Sequence, residues 1–307
     1  MNLHQLKVFY NTAKFESISK AADVLCVTQP AVTKQIKEFQ KYYNIVFFNK
    51  FGRKVVLTDA GKSLYRIAER IFEMENQAEE LIRDFQQLKS GNIHILTVES
   101  FGAYYLPYIA GLFNKSYPKI HISTYILSVE EVIKNTLKFN CDIGFVSFIN
   151  QYDNLVAEEI LEDIIVLMVP PDHPLTRKRY VVPKDLQGMN MVMSELGSGT
   201  RAIADNFITE HKISIHPTYE CSNSEEVKRA VENGMGLSLL SLNVVQAEIK
   251  HNILKAIIIK DPLLVRKFYM IYHKDKYFSQ YLNFFIATVK NWAKKYKESI
   301  QDIMSNL

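Results

Sequence analysis

The feature that most restricts this fold is where Pro30 stands, just after Thr28 and Gln29 and at the head of the apolar series Ala31, Val32, Ile36 and Phe39. A proline fits a helix in its first turn, where the missing N–H has no intrahelical partner anyway. The series therefore reads as a helix that opens at Thr28, its N-cap, with Gln29 and Pro30 in the first turn. Upstream, Leu3, Leu6, Val8, Phe9 and Ala13 recur at helical spacing. Ser17 and Ser19 each offer a cap for a second helix through Ala21, Ala22, Val24 and Leu25, and Cys26-Val27 makes a short turn. Two short helices joined this way, the second one basic, form a helix-turn-helix.

In that motif the second helix enters the DNA major groove by its N-terminal end. Thr28, Gln29, Thr33 and Lys34 would then face the groove. Glutamine matches an adenine edge in bidentate fashion, and lysine bonds guanine or phosphate. Pro30 and Ala31 offer apolar atoms to a thymine methyl, while Lys20 and Lys37 are placed for phosphates. Charge points the same way. Residues 1–58 hold nine Lys/Arg and three acids, whereas the rest of the chain holds 28 basic and 30 acidic groups. A basic block on a near-neutral body suits a polyanion, although an ordinary solvated surface would carry the same charge.

The segment from Ser17 to Gly61 resembles the winged helix-turn-helix of the LysR-type transcriptional regulators. The match runs through Ala21-Ala22, Leu25, Thr28 to Thr33, Gln35-Ile36, Arg53 and Leu57-Thr58-Asp59-Ala60-Gly61. The chain departs from the family at Tyr43-Asn44, where Leu-Gly is usual, and at Phe47-Phe48-Asn49-Lys50, where Leu-Phe-x-Arg is usual. Asparagine tolerates the left-handed backbone that glycine would supply. Lys50 keeps a charge but loses the guanidinium fork. Residues Phe51 to Leu57 are expected to form the wing hairpin, with Arg53 and Lys54 near the minor groove or backbone.

Residues 59–89 contain no proline and one glycine, Gly61. Leu64, Ile71, Ala78 and Phe85 are spaced by seven, as are Ile67, Met74, Leu81 and Leu88, and the two series are offset by three. This is an a/d heptad. It fits either one helix packed on its own domain or the seam of a two-chain coiled coil. The resemblance favours the second, because the family dimerises through such a linker helix, and it implies further assembly into tetramers. Ser90-Gly91-Asn92 reads as a hinge.

Beyond residue 91 the pattern alternates strand and helix. The expected elements include strands Ile93–Val98, Ile120–Leu127, Asp142–Ser147, Leu155–Ile160, Ile164–Val169, Asn190–Ser194 and Arg266–His273. Helices are expected at Tyr104–Phe113, Val129–Lys138, Thr200–His211 and Ser279–Glu298. Such alternation implies an α/β fold with mostly parallel sheets, whose ligands sit beyond the strand carboxyl ends. The resemblance implies a two-lobed α/β effector domain similar to periplasmic binding proteins, joined to an all-α winged helix-turn-helix by the long linker helix. The implied division is 1–58 for DNA binding, 59–89 for the linker and 90–307 for the regulatory domain. Lobe I would take about 92–164 and 266–307, and lobe II about 165–265.

Effector contacts are expected just after strand ends, at Ser100, Phe101, Ser147 and Asn223, and in the turn Gly197 to Arg201. A glycine-rich turn at a helix start exposes N–H groups that suit an anion. Ser198, Gly199 and Thr200 would supply donors, and Arg201 a charge. Two plainer readings stand beside these: Ser100 as an N-cap, and Arg201 in a structural salt bridge.

Other classes fit poorly. Residues 197–202 match G-x-G-x-x-A, but late in the chain and without a second nucleotide motif. The eight histidines include no H-E-x-x-H, the three cysteines lie far apart, and no G-x-S-x-G is present. No catalytic residue, metal ligand or cofactor is nominated. The N-terminus lacks an export pattern, and the longest apolar run, near Ile164–Val169, falls short of the roughly 20 residues of a membrane helix. The expectation is a cytoplasmic regulator, not an enzyme. Its partners would be double-stranded promoter DNA, a small anionic effector, its own copies and RNA polymerase, with no membrane.

Overall fold

The computed structural model describes residues 2–51, 54–85, 91–260 and 263–305. Two compact units divide the chain at residues 1–86 and 87–307.

The first unit opens with α1 (Leu3–Phe15), α2 (Ile18–Val24) and α3 (Gln29–Tyr43). Asn2 caps α1 by accepting from the His4 N–H, and Ser17 caps α2 by accepting from the Lys20 N–H. Thr28 is the N-cap of α3 by its extended backbone, yet its side chain makes no capping bond. Asn44 ends α3 with φ 52°, the left-handed cap that glycine usually supplies. The wing is β1 (Phe48–Phe51) paired antiparallel with β2 (Lys54–Leu57). It therefore starts three residues earlier than expected, because Phe48 turns into the core beside Phe9, their rings 5.1 Å apart.

Helix α4 (Asp59–Phe85) follows. Gly61 lets it start close to the wing, since a Cβ there would lie 2.2 Å from the Phe47 carbonyl oxygen. One face of α4, with Ala68 and Phe72, joins the core around Phe9, Phe39 and Phe47, and Tyr65 stacks on Tyr10. The expected seam divides on this packing. Leu64 and Ile71 are half-buried against that core. Ile67, Met74, Ala78 and Leu81 are exposed. Leu88 and the Phe85 side chain lie outside the described residues, as do Ser90, Arg53 and the Lys54 side chain.

The second unit is two-lobed. Its lobe I strands are β3 (Gly91–Thr97), β4 (Ile120–Ile126), β5 (Ile143–Val146), β6 (Leu155–Val169) and β12 (Val265–His273), in the order β4-β3-β5-β12-β6. Lobe II holds β7 (Tyr180–Val181), β8 (Asn190–Ser194), β9 (His216–Cys221), β10 (Ser238–Ser241) and β11 (Lys255–Ile259). The helices are α5 (Glu99–Tyr104), α6 (Leu106–Ser116), α7 (Val129–Leu137), α8 (Gly199–Glu210), α9 (Ser224–Glu232), α10 (Gln246–Lys250) and α11 (Gln280–Ser305). No helix among the described residues is long and apolar enough to cross a membrane.

Several expectations change. Gly91 and Asn92, read as part of a hinge, open β3 and pair with Ile120 and His121 of β4. The two strands read at 155–160 and 164–169 are one strand of 15 residues, β6. Up to Ile164 it pairs with β12; from Ile165 it pairs with β10 and β11, so it runs from one lobe into the other. The sheet is mixed rather than mostly parallel. β3 pairs parallel with β4 and β5, but β12 runs antiparallel to β5 and β6, because the chain re-enters lobe I along β12 against β6. The helix expected at 104–113 is α6, which starts two residues later with Pro107 in its first turn, and the short α5 precedes it, the two meeting at Tyr105. Phe101, Phe145, Phe268 and Phe285 lie fully buried in the lobe I core, and Phe207 anchors lobe II.

Candidate functional site

On α3, Thr28, Gln29, Pro30, Lys34 and Lys37 are exposed, with Ala31 and Thr33 half-buried, and Lys20 is exposed on α2. Gln29, Pro30, Thr33, Lys34 and Lys37 line one shared surface depression. The Gln29 amide donates to Ser19 Oγ at 3.0 Å, which orients it against α2. One amide N–H and the carbonyl oxygen remain for a base edge. The Thr33 hydroxyl donates to the Gln29 carbonyl at 3.0 Å, which leaves its oxygen as an acceptor, whereas Thr28 makes no capping bond and keeps both its proton and its lone pairs. Lys34 meets Glu38 only at 3.9 Å. The face is thus a set of exposed ammonium groups around one pre-oriented amide.

The second candidate is a cavity of about 450 Å³ between the lobes of the regulatory unit. Helices α5, α7, α8 and α9 all begin on its wall, at Glu99, Ser128, Ser198 and Asn223. The first N–H groups of a helix have no intrahelical acceptor, and the macrodipole adds partial positive charge there. Side-chain caps occupy only some of them. Ser198 Oγ accepts from the Arg201 N–H at 3.1 Å, and Asn223 Oδ1 accepts from the Glu226 N–H at 2.9 Å. The Ser198 hydroxyl proton and the Asn223 amide hydrogens are not used by these caps.

Gly197 takes φ +87°, a backbone that favours glycine, and Gly199 is required because a Cβ would lie 2.1 Å from Ser147 Oγ. Ser147 is buried and its hydroxyl has no hydrogen-bond partner among the described residues. Thr200 Oγ1 accepts from Arg266 Nη1 at 2.8 Å. Arginine offers only donors, so the Thr200 proton is free to be donated. Arg266 itself is buried on β12 and pairs with Asp163 on β6 at 2.5 Å, over the Phe268 ring. Asp163 also accepts from Ser241 Oγ at 2.8 Å.

The structure sorts the expected effector residues. Ser100, Ser198, Gly199, Thr200 and Asn223 line the cavity, and Ser147 abuts Gly199. Ser100 is no N-cap; that position is Val98, and Ser100 sits inside the first turn of α5. Phe101 does not reach the cavity. One helical step past Ser100, its ring turns into the core and stacks on Phe145 at 4.3 Å. Arg201 is also turned away. Its Nε donates to Asp205 at 2.9 Å, and its Nη1 donates to the Ser194 carbonyl at 2.8 Å and to Glu220 at 3.0 Å. Burial opposes its charge, but the bonds to Glu220 and Asp205 prevail and hold the guanidinium protonated beyond its ordinary range. The salt-bridge reading of Arg201 is the one the geometry supports.

Sequence reasoning missed Glu99, Ser128, Glu131 and Ser224 on the cavity wall, and Asp163 with Arg266 beneath it. Ser128 and Glu131 form a reciprocal capping box, which the Ser-x-x-Glu spacing announces.

Comparison with known proteins finds relatives for both units. Residues 3–62 match the bacterial regulatory helix-turn-helix protein, lysR family, and residues 86–294 match the LysR substrate binding domain. The HTH-type transcriptional activator CmpR of Synechocystis is 31% identical over 277 residues, covering 90% of this chain and 91% of that protein. A full-length OxyR variant from Pseudomonas aeruginosa superposes with a TM-score of 0.77 at 17% identity, over 96% of this chain and 95% of that one. The regulatory domain of CcmR from Synechocystis PCC6803, solved in complex with 2-PG, has a TM-score of 0.62 at 24% identity, over 67% of this chain and 98% of that one.

Proposed function

This chain belongs to the LysR family of DNA-binding transcriptional regulators, and from that premise we propose that it senses a small anionic effector in the inter-lobe cavity. It is a regulator with an effector-binding domain, not an enzyme. The observation that carries the anion is the α8 start at Ser198, Gly199 and Thr200 on the cavity wall, with the Thr200 hydroxyl held as a donor by Arg266. Oriented N–H and O–H groups at helix starts bind oxyanions without a lysine or arginine in contact. The CcmR regulatory domain holds 2-PG on the same fold, which supports a small ligand here.

The α3 face reads the DNA: Gln29 takes a base edge, and Lys20, Lys34 and Lys37 take phosphates, with Arg53 and Lys54 of the wing alongside. The exposed α4 residues Ile67, Met74, Ala78 and Leu81 form the seam with a second copy, and a dimer supplies two reading heads for a two-fold site. The effector acts by favouring one arrangement of the lobes, so DNA and effector alter each other's affinity by the same factor. The test is fluorescence anisotropy of the full chain on its own upstream DNA, with and without phosphate, sulfate, bicarbonate and 2-PG. At least one anion is expected to change DNA affinity in the wild type and not in Thr200→Val. Unchanged affinity with every anion contradicts the effector reading.

A further inference from the structure

The cavity has a second pole. Its wall carries the carboxylates of Glu99, Glu131 and Glu195 and no lysine or arginine among the described residues. Glu99 belongs to α5 of lobe I, and its Oε2 accepts from the hydroxyl of Ser224, in α9 of lobe II, at 2.8 Å. The Ser224 N–H lies 3.4 Å from Oε1. Glu131 Oε2 accepts from the Ser128 N–H at 3.1 Å and the Ser128 hydroxyl at 2.8 Å. These bonds hold the Glu131 carboxyl below the usual carboxylate range, so it stays ionised. A carboxylate has about four acceptor positions, and both residues keep some unused.

The other pole is Ser198, Gly199 and Thr200, where the α8 start offers donors. Between the poles, Ser100 is more than nine-tenths buried, lines the cavity, and its hydroxyl has no hydrogen-bond partner among the described residues. A ligand made only of oxyanions would meet donors at one end and like charge at the other. A ligand with one anionic end and one donating end would satisfy both.

We infer that the effector is an acid that also carries a hydrogen-bond donor, ammonium or hydroxyl, and that Glu99 reads that donor. The inference rests on the anion reading above and adds the ligand's other end. It assigns Glu99 as the specificity-determining residue, because its carboxylate already spans the cavity to Ser224. A donor that bonds Glu99 joins an existing link between the two lobes, so the donor end is sensed by both.

Calorimetric titration of the full chain with propionate, lactate and alanine tests this, with phosphate as a separate anion control. The three share a skeleton and a carboxylate and differ by nothing, a hydroxyl or an ammonium group. Lactate and alanine are expected to bind about tenfold tighter than propionate, the scale of one hydrogen bond to a charged group. Glu99→Gln and Glu99→Ala should bring both down to the propionate value and leave propionate unchanged. Equal affinities for the three in the wild type overturn the two-ended ligand, as does phosphate binding with none of the three. Loss of propionate binding in the Glu99 variants overturns Glu99 as the reader and makes it a strut between lobes. Absence of binding by any of the four overturns the anion reading beneath it.

Discussion

The α3 face and the α8 end of the inter-lobe cavity both present hydrogen-bond donors to a ligand, and they do so by different means. On α3 the charge is exposed: Lys20, Lys34 and Lys37 stand in solvent. In the regulatory unit Arg201 and Arg266 are committed to carboxylates of the chain, Arg201 to the half-exposed Asp205 and Glu220 and Arg266 to the buried Asp163. What remains for a ligand there is a set of short-range donors at the α8 start, facing the carboxylates of Glu99, Glu131 and Glu195. Exposed lysines attract any polyanion over a Debye length, about 8 Å at physiological salt, and lose that attraction as salt rises. Oriented helix N-termini discriminate by distance and geometry. One chain thus holds a surface suited to long, uniformly charged DNA and a cavity suited to a small, particular molecule.

Breaking the buried Arg266–Asp163 pair should have the largest effect. Arg266→Ala leaves Asp163 buried without its partner, and Asp163→Ala does the same to Arg266. Either should destabilise the protein by about 3–5 kcal/mol, since an uncompensated buried charge remains. Denaturant unfolding measures it, and a loss within error of zero would mean the pair contributes no more than a surface ion pair. Next is Gln29→Ala, expected to cost about 1–3 kcal/mol of discrimination at one base pair. Competition binding across variants of the DNA site reads it, and unchanged discrimination would remove Gln29 from base readout. Lys37→Ala should weaken all sequences alike and flatten the salt slope by about one unit; an unchanged slope would place Lys37 off the phosphates.

The smallest effect is in pH. The His94 backbone N–H donates to Asp142 Oδ2 at 2.7 Å, and the ring Nδ1 lies 2.8 Å from Ser123 Oγ. Burial lowers the His94 pKa, with Asp142 opposing and Lys276 adding to the shift. The folded state therefore favours neutral His94. That contribution is present above the unfolded value of about 6.5 and is lost as pH falls through the lower folded value. Melting temperature against pH should show a shallower acid loss in His94→Gln; identical profiles would exclude it.

The helix-turn-helix was legible because its signals are local. Pro30 fixes the start of α3, and Asn44 ends it where a left-handed residue is needed. Strand Asn190–Ser194 was equally plain, bounded by turn residues. The cavity chemistry was less so. Asp205 lies four residues after Arg201, a spacing that announces an ion pair on a helix, but Glu220 reaches Arg201 only through the pairing of β8 with β9. Arg266 and Asp163 are 103 residues apart and meet because β12 and β6 place them directly opposite. Glu99 and Ser224 are 125 apart and meet across the lobes. Sequence spacing carries the partners of one helix and not those brought together by sheet register.

The most direct test of the account sets Thr200 against Arg201. Calorimetric titration of the full chain with phosphate, sulfate, bicarbonate and lactate would be run on the wild type, Thr200→Val and Arg201→Ala, each checked for folding by its melting temperature. The anion bound by the wild type should be held about tenfold or more weakly by Thr200→Val, the loss of one donor to a charged group, and nearly as well as before by Arg201→Ala. Binding abolished in Arg201→Ala and intact in Thr200→Val would contradict it, and would return the ligand's charge to the arginine.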